Sequence, residues 1–335
     1  MAERAAVTGA TGFIGTALCR QLRAAGWSVT ALRRPSSDAS RLADLDVEWV
    51  VGDVLDPASV RELADGADVV FHLAGLGLLD ADPQTVWRVN VEGTRRAVEA
   101  ALDADARLVF AGTAGTRRSA TVADETDLAP AVGAYQGSKA AGERLLAAAR
   151  SRGLDAVTVL PTSVFGPGDP RFTTRLVTLA TSPLGFVCLP GGVSVVDVRD
   201  VARGIVAAAE RGERGEAYLL GGENLAYGEI LSTIAREAGG DRFRVQLPPA
   251  LLHLAGRVVG PVNATLGTRL FPVDRAMSRL VTRELYYSSA KARSALGYTF
   301  APFAEVAGAG LRWCRDGDRP ADVATWAPGT AVESG

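Results

Sequence analysis

The 335-residue sequence has few of the residues that form covalent or metal cross-links. It has three cysteines, Cys19, Cys188 and Cys314, and none of them belongs to a CxxC pair. This odd and scattered set argues against a disulfide framework and a structural zinc site, so we expect buried, reduced thiols. The two histidines, His72 and His253, form no HExxH motif and are expected to be packed. A GxSxG motif is also missing, so a metalloenzyme and a hydrolase are both disfavoured.

The sequence also lacks an excess of either charge and any long apolar run. The net charge is −2, which gives no electrostatic reason for a nucleic-acid partner, so we expect the doublet Arg117-Arg118 to be solvated. The apolar run Val69–Leu79 is far shorter than the roughly 18 residues of a membrane span. Residues 1–6 show no basic segment with a long apolar stretch, so we expect no secretory signal and a cytoplasmic location.

Lysine is nearly absent. Of the 36 basic residues, only Lys139 and Lys291 are lysines. The arginine guanidinium is planar and always charged, whereas a lysine ammonium is a compact charge whose pKa shifts readily on burial. Each lysine is therefore a candidate for a role that arginine would perform badly. Lys291 is expected to be an exposed cation on a helix, which leaves Lys139 as the stronger candidate.

Strand and helix patterns alternate regularly along the first half of the chain. Between the first two strands, Ile14, Leu18 and Leu22 repeat at a four-residue spacing that predicts a helix, with Gly26 at its C-cap. Such alternation predicts an α/β fold whose parallel sheet is covered by helices on both faces. The predicted strands are Ala5–Val7, Val29–Arg33, Val47–Val51, Asp68–Leu73, Arg107–Ala111 and Ala156–Leu160.

A glycine-rich turn joins the first strand to the first helix, with three glycines at GxxGxxG spacing. Glycine permits a tight turn and lets backbone N–H groups approach a pyrophosphate, whose negative charge the helix N-terminus favours. The turn therefore predicts a dinucleotide-binding site. Its candidate residues are Gly9, Thr11, Gly12, Phe13, Ile14 and Gly15.

The end of the second strand indicates which dinucleotide is bound. NAD-preferring sites carry an acidic residue about 20 residues after the glycine turn, where it binds the ribose hydroxyls. Here Arg33 and Arg34 occupy that place. A guanidinium suits a 2′-phosphate, so the sequence predicts NADP (NADPH), with NAD still possible; two solvated arginines are the alternative. Further cofactor-binding candidates follow the third and fourth strands, namely Asp53, Val54, Ala74 and Gly75.

The second constellation is Tyr135-Gln136-Gly137-Ser138-Lys139. If the segment is helical, Tyr135 and Lys139 lie on one face because they are four residues apart. A free tyrosine has a pKa of about 10, and a nearby ammonium lowers it by favouring the phenolate. The pair therefore predicts a tyrosine general acid or base. Tyr-x-x-x-Lys is a common pattern, so its weight comes from its place after the glycine turn and from the scarcity of lysine.

With these motifs in this order, residues from roughly 4 to 315 resemble the extended branch of the short-chain dehydrogenase/reductase superfamily. That branch includes nucleotide-sugar epimerases and dehydratases, 3β-hydroxysteroid dehydrogenases and dihydroflavonol-reductase-like enzymes. The motifs are Thr8–Gly15, Gly52–Val54, His72–Gly75, Asn90–Thr94, Phe110–Thr116, Tyr135–Lys139 and Leu160–Asp169.

The resemblance implies a Rossmann-type, doubly wound parallel sheet with a smaller, mostly helical substrate lobe. We expect residues 1–165, with returning segments at about 193–222, to bind NADP. Residues 166–192 and 223–315 would form the lobe that shapes the substrate pocket, and they carry no motif that names a substrate. Residues 316–335 have little periodic pattern and are expected to be a loose tail.

The resemblance also implies roles for single residues. Thr113 matches the family's catalytic serine or threonine and would hydrogen-bond a substrate carbonyl, although Gly112 departs from the usual Ser-Ser-like pair. Asn90 matches the asparagine that supports the lysine and a proton-relay water, with a helix cap as the alternative reading. Lys139 would also bind the nicotinamide ribose. The residues beside the nicotinamide ring would be Pro161, Thr162 and Ser163.

The implied function is an NADPH-dependent reductase or dehydrogenase that interconverts a carbonyl and a secondary alcohol on a small molecule. Sugar epimerases often carry histidine where Asp197 stands, but Asp197 could equally be a salt-bridged structural carboxylate. The alternative is a redox-neutral nucleotide-sugar epimerase or dehydratase. A cofactor-sensing regulator is disfavoured because Thr113, Tyr135 and Lys139 are all present. A homodimer would be consistent with this branch.

Overall fold

The structure, a computed structural model, describes residues 3–77, 81–182, 187–240, 245–254, 257 and 281–317. The tail expected at 316–335 lies almost wholly outside the described residues, as does part of the expected lobe. In chain order the elements are β1 (Arg4–Thr8), α1 (Phe13–Ala24), β2 (Ser28–Arg33), β3 (Glu48–Val51), α2 (Pro57–Ala64), β4 (Val69–His72), α3 (Pro83–Asp103), β5 (Arg107–Ala111), β6 (Val122–Ala123), α4 (Gly133–Ala149), β7 (Ala156–Pro161), β8 (Ser163–Phe165), α5 (Phe172–Thr181), β9 (Val187–Cys188), β10 (Gly192–Asp197), α6 (Val198–Arg211), β11 (Ala217–Leu220), β12 (Glu223–Ala226), α7 (Tyr227–Glu237), β13 (Val245–Gln246), β14 (Glu284–Tyr287), α8 (Ala290–Leu296) and α9 (Phe303–Asp316).

Seven strands form one parallel sheet in the order β11-β7-β5-β4-β1-β2-β3. The register sets Val7 of β1 beside Ala31 of β2 on one side and Phe71 of β4 on the other. The chain builds outward from β1 to β3 and then returns to β4, so the strand order reverses between β1 and β4. Ligands of such sheets bind in the crevice at the carboxyl edge of this reversal. The predicted α/β, Rossmann-type fold is confirmed.

Helices cover both faces of this sheet because its strands are apolar on both sides. Val7 packs in one core with Leu18 of α1 and Ile205 of α6. Its neighbour Ala6 packs in a second core with Leu63 of α2. Successive residues of one strand thus enter opposite cores, as the two-residue period of a strand requires.

Helix α6 begins at a buried aspartate. Asp197 ends β10, and its Oδ1 accepts the backbone N–H of Arg199 at 2.6 Å, which caps the helix. Its Oδ2 also pairs with the Arg199 guanidinium at 2.6 Å. These contacts match the structural alternative that the sequence left open for Asp197.

Strand β10 belongs to a second sheet of five strands, ordered β12-β10-β14-β6, with β8 also paired to β10. It runs antiparallel to β12 and parallel to β8 and β14. Phe165 of β8 and Phe303 of α9 meet edge to face in its core, with 5.1 Å between ring centroids. Helices α5, α7 and α9 pack against this sheet, so the described part of the region combines strands with helices.

The structure shows the surroundings of the three cysteines and of Lys291 and the lengths of the described helices. Cys19 and Cys188 are buried, Cys314 is partly buried, and all three are free thiols. Lys291 was expected to be an exposed cation, but it is partly buried and its Nζ pairs with Glu216 Oε2 at 2.6 Å. Within the described ranges, no helix is both long and apolar enough to cross a membrane.

Candidate active site

The turn between β1 and α1 leaves no room for a side chain at Gly9 or at Gly15. Gly9 has a φ of 74°, in the left-handed region that favours glycine. A Cβ on Gly9 would lie 2.6 Å from the backbone nitrogen of Ala74, and a Cβ on Gly15 would lie 2.0 Å from the Gly9 carbonyl oxygen. Close packing of the turn against β4 and α1 therefore dictates the glycine spacing.

Helix α1 starts at this turn with an end suited to an anion. Its N-cap is Gly12, which supplies no side-chain cap, and its first turn holds no acidic residue. The first N–H groups of a helix have no partner within it, so those of Phe13 and Ile14 can bind a negative group that the helix dipole favours. Thr11 precedes this end of the helix. The arrangement fits a dinucleotide pyrophosphate.

The buried side chain of His72 is hydrogen-bonded to Thr8, the last residue before the glycine turn. The Thr94 hydroxyl donates to the Asn90 carbonyl at 2.6 Å, so it accepts from His72 Nε2 at 3.1 Å. His72 Nδ1 then accepts from the Thr8 hydroxyl at 2.8 Å, while Thr8 Oγ1 accepts the Ala74 N–H at 3.2 Å. Burial, with a smaller contribution from the Lys139 charge, lowers the pKa of His72 to about 3. It is a neutral, packed histidine, as the sequence indicated.

The two arginines at the end of β2 lie in different environments. Arg33 is partly buried, and its Cζ stands 5.4 Å from the ring centroid of Trp49. Its Nε is buried and has no hydrogen-bond partner among the described residues. Arg34 is exposed. The Arg33 guanidinium is therefore a cation held over the Trp49 ring, and its Nε–H has no acceptor among the described residues. Such a group suits an anion such as a 2′-phosphate.

Asp53 and Val54, the cofactor-binding candidates after the third strand, lie next to Arg33. We call this region the adenine end, because the 2′-phosphate of NADP is on its adenosine ribose. The Gly52 N–H donates to the Arg33 carbonyl at 2.9 Å, which joins the ends of β2 and β3. Asp53 Oδ1 accepts the Leu55 N–H at 2.9 Å, and Val54 is buried against α3. The structure thus brings these residues together at the carboxyl edge of the sheet.

Lys139 is buried where α4 passes the ends of β4 and β5. Its Nζ donates to the carbonyl of Ala111, the last residue of β5, at 2.7 Å. A Cβ on Gly75 would lie 3.2 Å from this Nζ and 3.1 Å from Asn90 Oδ1, so the three residues converge. Burial lowers the pKa of Lys139 to about 8, which still leaves it mostly an ammonium at neutral pH.

Asn90 links α3 to the helix that carries Tyr135. Its Oδ1 accepts the Leu76 N–H at 2.7 Å, and its Nδ2 donates to the Leu76 carbonyl at 3.0 Å and to Ser138 Oγ at 2.9 Å. Ser138 Oγ in turn donates to the Tyr135 carbonyl at 2.8 Å. The helix-cap alternative is wrong, because Asn90 lies in the middle of α3, whose N-cap is Asp82.

Thr113 and Tyr135 lie on the two segments that border Lys139. Tyr135 is in the first turn of α4, on the same face as Lys139, as their spacing predicts. Thr113 follows β5, and its Oγ1 accepts the Gly115 N–H at 3.2 Å, which starts a short 3-10 helix at Ala114–Thr116.

The residue before Thr113 is glycine because strand β7 runs close to it. A Cβ on Gly112 would lie 2.8 Å from Leu160 Cδ2, which explains the departure from a Ser-Ser-like pair. The three nicotinamide-side candidates follow Leu160: Pro161 ends β7, Thr162 is the link and Ser163 begins β8. Thr162 Oγ1 is buried and has no hydrogen-bond partner among the described residues, which suits a polar ligand group.

An ion pair that the sequence did not reveal lies beside Thr113. Arg117, expected to be solvated, is only 4% exposed, and its Nη2 lies 2.7 Å from Oε2 of Glu143 on α4. The expectation was wrong because an arginine doublet gives no sign of a partner that is distant in the sequence. One signal was available: Glu143 stands four residues after Lys139, on the same helical face.

Comparison with known proteins shows the family to which the chain belongs. A profile of the NAD-dependent epimerase/dehydratase family matches residues 5–221. The chain belongs to that family. As a member, it is an NAD(P)-dependent oxidoreductase of the extended short-chain dehydrogenase/reductase type, which acts on small molecules.

Three relatives show how far the similarity extends. A Synechocystis sp. protein provisionally named dihydroflavonol 4-reductase is 30% identical, over 93% of this chain and 95% of that protein. A ceramide reductase of Caulobacter vibrioides is 31% identical, over 83% of this chain and 84% of that protein. The crystal structure of gox2253 has a TM-score of 0.82 at 32% identity, covering 94% of this chain and 98% of the other.

Proposed function

We propose that this family member is an NADPH-preferring reductase that interconverts a carbonyl and a secondary alcohol on a small molecule. The observation that carries the proposal is the buried Lys139 ammonium, held at the end of β5 on the same helical face as Tyr135. Two relatives that align over most of the chain carry reductase names, which supports net reduction.

Tyr135 holds the proton that the reaction moves. In the reducing direction its hydroxyl donates this proton to the substrate oxygen, where negative charge develops. Thr113 donates a second hydrogen bond to the same oxygen, because its Oγ1 uses a lone pair, not its hydrogen, in the contact with Gly115. The Lys139 ammonium favours the phenolate that Tyr135 becomes. When bound, the nicotinamide supplies or accepts the hydride.

We assign the preference for NADPH to the end of β2. Arg33, stacked on Trp49 with an unused Nε, would bind the 2′-phosphate, and the exposed Arg34 would add a second, more mobile charge. The cofactor would lie along the carboxyl edge of the main sheet, within residues 1–165 and about 193–222. The substrate would bind against residues 166–192 and 223–315.

A redox-neutral nucleotide-sugar epimerase or dehydratase is the second candidate. The description of the family names both activities, and the same tyrosine and lysine could serve them. In such an enzyme the hydride returns to the substrate, so the cofactor is not consumed. Asp197 does not separate the two functions, because its carboxylate is used by Arg199.

Net consumption of NADPH separates the two candidates. Protein stripped of cofactor would receive NADPH and a panel of flavonoid, alkyl and ceramide-type ketones, and nicotinamide absorbance would be followed. We expect loss of absorbance matched one for one by alcohol, and no loss with the control variant Tyr135→Phe. Turnover of a UDP- or dTDP-sugar over many cycles on substoichiometric cofactor, without an absorbance change, would establish the second candidate instead.

A further inference from the structure

Arg117 is a buried cation that the reaction does not use directly. Its guanidinium forms two contacts with Glu143, Nη2 to Oε2 at 2.7 Å and Nη1 to Oε1 at 3.3 Å. Its Nε donates to the Glu125 carbonyl at 2.8 Å. The Arg117 side chain is 4% exposed and the Glu143 side chain is 18% exposed. Burying such a pair is costly, and an apolar pair of similar volume is often as stable, so the pair is weak evidence of a purely stabilising role.

The pair joins two segments of the proposed site. Arg117 belongs to the post-β5 loop (residues 112–118), which carries Thr113. Glu143 lies on α4, one turn after Lys139 and two turns after Tyr135, on the same face of the helix. The ion pair therefore fixes the segment that holds one proposed hydrogen-bond donor against the helix that holds the other.

Thr116 extends this connection to the backbone of Thr113. Its Oγ1 lies 2.9 Å from the Thr113 carbonyl and 2.9 Å from Glu143 Oε1, and its single hydrogen can serve either acceptor. The same oxygen accepts from Arg117 Nη1 at 2.6 Å. A shift of the Arg117–Glu143 pair would therefore move the peptide group that sets the Thr113 side chain.

The loop also contacts α4 directly near Tyr135. A Cβ on Gly115 would lie 3.0 Å from Gln136 Nε2, so the loop backbone packs on the residue that follows the tyrosine. The N–H of the same Gly115 donates to Thr113 Oγ1. The loop is thus fixed to α4 at two points, the Gln136 contact and the ion pair, and Thr113 is tied to both.

We propose that Arg117 and Glu143 are positioning residues that hold the Thr113 hydroxyl and the Tyr135 hydroxyl at a common substrate oxygen. This inference rests on the proposed function, in which both hydroxyls act on that oxygen. The pair works through geometry: the Arg117 guanidinium neutralises the Glu143 carboxylate, and burial alone sets the pKa of Lys139. A displacement of about 1 Å in such a constellation can lower a rate about 100-fold.

The test replaces both partners at once, so that no unpaired charge stays buried. The variant Arg117→Met/Glu143→Met should unfold near the wild-type temperature and bind NADPH with a Kd within twofold of wild type. Its kcat on the best ketone of the panel should fall at least tenfold. Arg117→Lys keeps one charged contact with Glu143 but loses the planar fork of the guanidinium. Its kcat should therefore lie between the kcat of the wild type and that of the double variant.

A matched control removes an ion pair from the other end of the same strand. Arg107 begins β5 and pairs with Asp155 at 3.5 Å, at the amino edge of the sheet. Arg107→Met should change thermal stability and leave kcat and KM unchanged. A loss of kcat in this control equal to that of the double variant would show that general destabilisation lowers turnover, and would overturn the positioning role.

The outcomes separate this inference from the function on which it rests. Wild-type kcat and KM in the double variant, with Tyr135→Phe inactive, would overturn the positioning role and leave the reductase intact. Wild-type turnover in Tyr135→Phe would overturn the proposed mechanism itself. If the double variant does not fold, Thr116→Val decides, because it keeps the ion pair and removes the bridge to Thr113. Unchanged kcat in Thr116→Val would count against the proposal.

Discussion

Two turns lie at the carboxyl edge of the main sheet, and different kinds of contact hold them. The glycine turn after β1 packs through backbone atoms, with no space for a Cβ at Gly9 or Gly15. The post-β5 loop is held by side chains, chiefly Arg117 and Glu143. The first arrangement leaves backbone N–H groups open to a ligand, and the second fixes a side-chain hydroxyl. We therefore expect damage to the first to weaken cofactor binding and damage to the second to slow turnover.

The largest expected effect comes from the catalytic side. Tyr135→Phe removes only the hydroxyl that we propose transfers the proton, so kcat should fall by about 100- to 10,000-fold. The Kd of NADPH, measured by fluorescence titration, should stay within twofold of wild type, because the glycine turn and Arg33 are untouched. Parallel losses of kcat and affinity would mean that the two regions do not act separately.

The next effect comes from the glycine turn. Gly15→Ala places a Cβ 2.0 Å from the Gly9 carbonyl oxygen, so the turn must shift. Overpacking of this kind costs about 1–3 kcal/mol, and a comparable loss in binding would weaken NADPH affinity about 5- to 150-fold.

The matched control for Gly15→Ala is Gly240→Ala, where the nearest atom to a new Cβ is 3.7 Å away. Isothermal titration should show wild-type affinity for this control. Unchanged affinity in Gly15→Ala would contradict the role assigned to backbone packing in the turn.

The burial of Lys139 predicts that the free energy of unfolding depends on pH. Its pKa is about 8 in the folded chain and near its ordinary value of 10.5 when unfolded. Between these values the unfolded chain binds more protons, so the contribution of Lys139 to the free energy of unfolding rises with pH. From pH 7 to 9.5 the wild type should gain about 2 kcal/mol relative to Lys139→Met. Urea titrations at both pH values measure this, and equal shifts in the two proteins would refute it.

The smallest effects are expected at the adenine end. Arg33→Ala should weaken NADPH binding about tenfold and leave NADH binding unchanged, since a charged hydrogen bond contributes about 1.5 kcal/mol at the lower end of its range. Trp49→Leu should cause a smaller loss with the same selectivity, because the guanidinium stays but loses its stacking partner. Arg34→Ala removes the exposed arginine and should weaken NADPH binding least of the three variants. Equal affinity of the unmodified protein for NADPH and NADH would overturn the assignment.

Local patterns made the fold and the glycine turn predictable. The strand at Arg107–Ala111 and the helix after the glycine turn follow from short-range apolar spacing, and both are present. The glycine turn was readable because glycines at fixed spacing report a backbone requirement directly. Lys139 stood out through the scarcity of lysine, and its burial is now explained by its contact with Ala111.

Long-range pairing was not predictable in the same way. Arg117 and Glu143 are 26 residues apart, Arg33 and Trp49 lie on different strands, and Gly112 depends on a side chain of β7. Each contact requires two elements that meet only in the folded sheet, so neither member carries a local sign of the other.

Apolar periodicity and glycine spacing in the sequence were enough to predict the parallel sheet and the tight glycine turn after its first strand, because helices, strands and tight turns depend on neighbouring residues. The tertiary structure determined which charged side chains are buried. Among the described residues, Lys139 is buried without a carboxylate partner and Arg117 with one, since burial depends on packing between α4, β5 and the loop after β5. The physical reason is that desolvation and ion pairing act through space, so the same residue types acquire different properties once tertiary contacts set their surroundings.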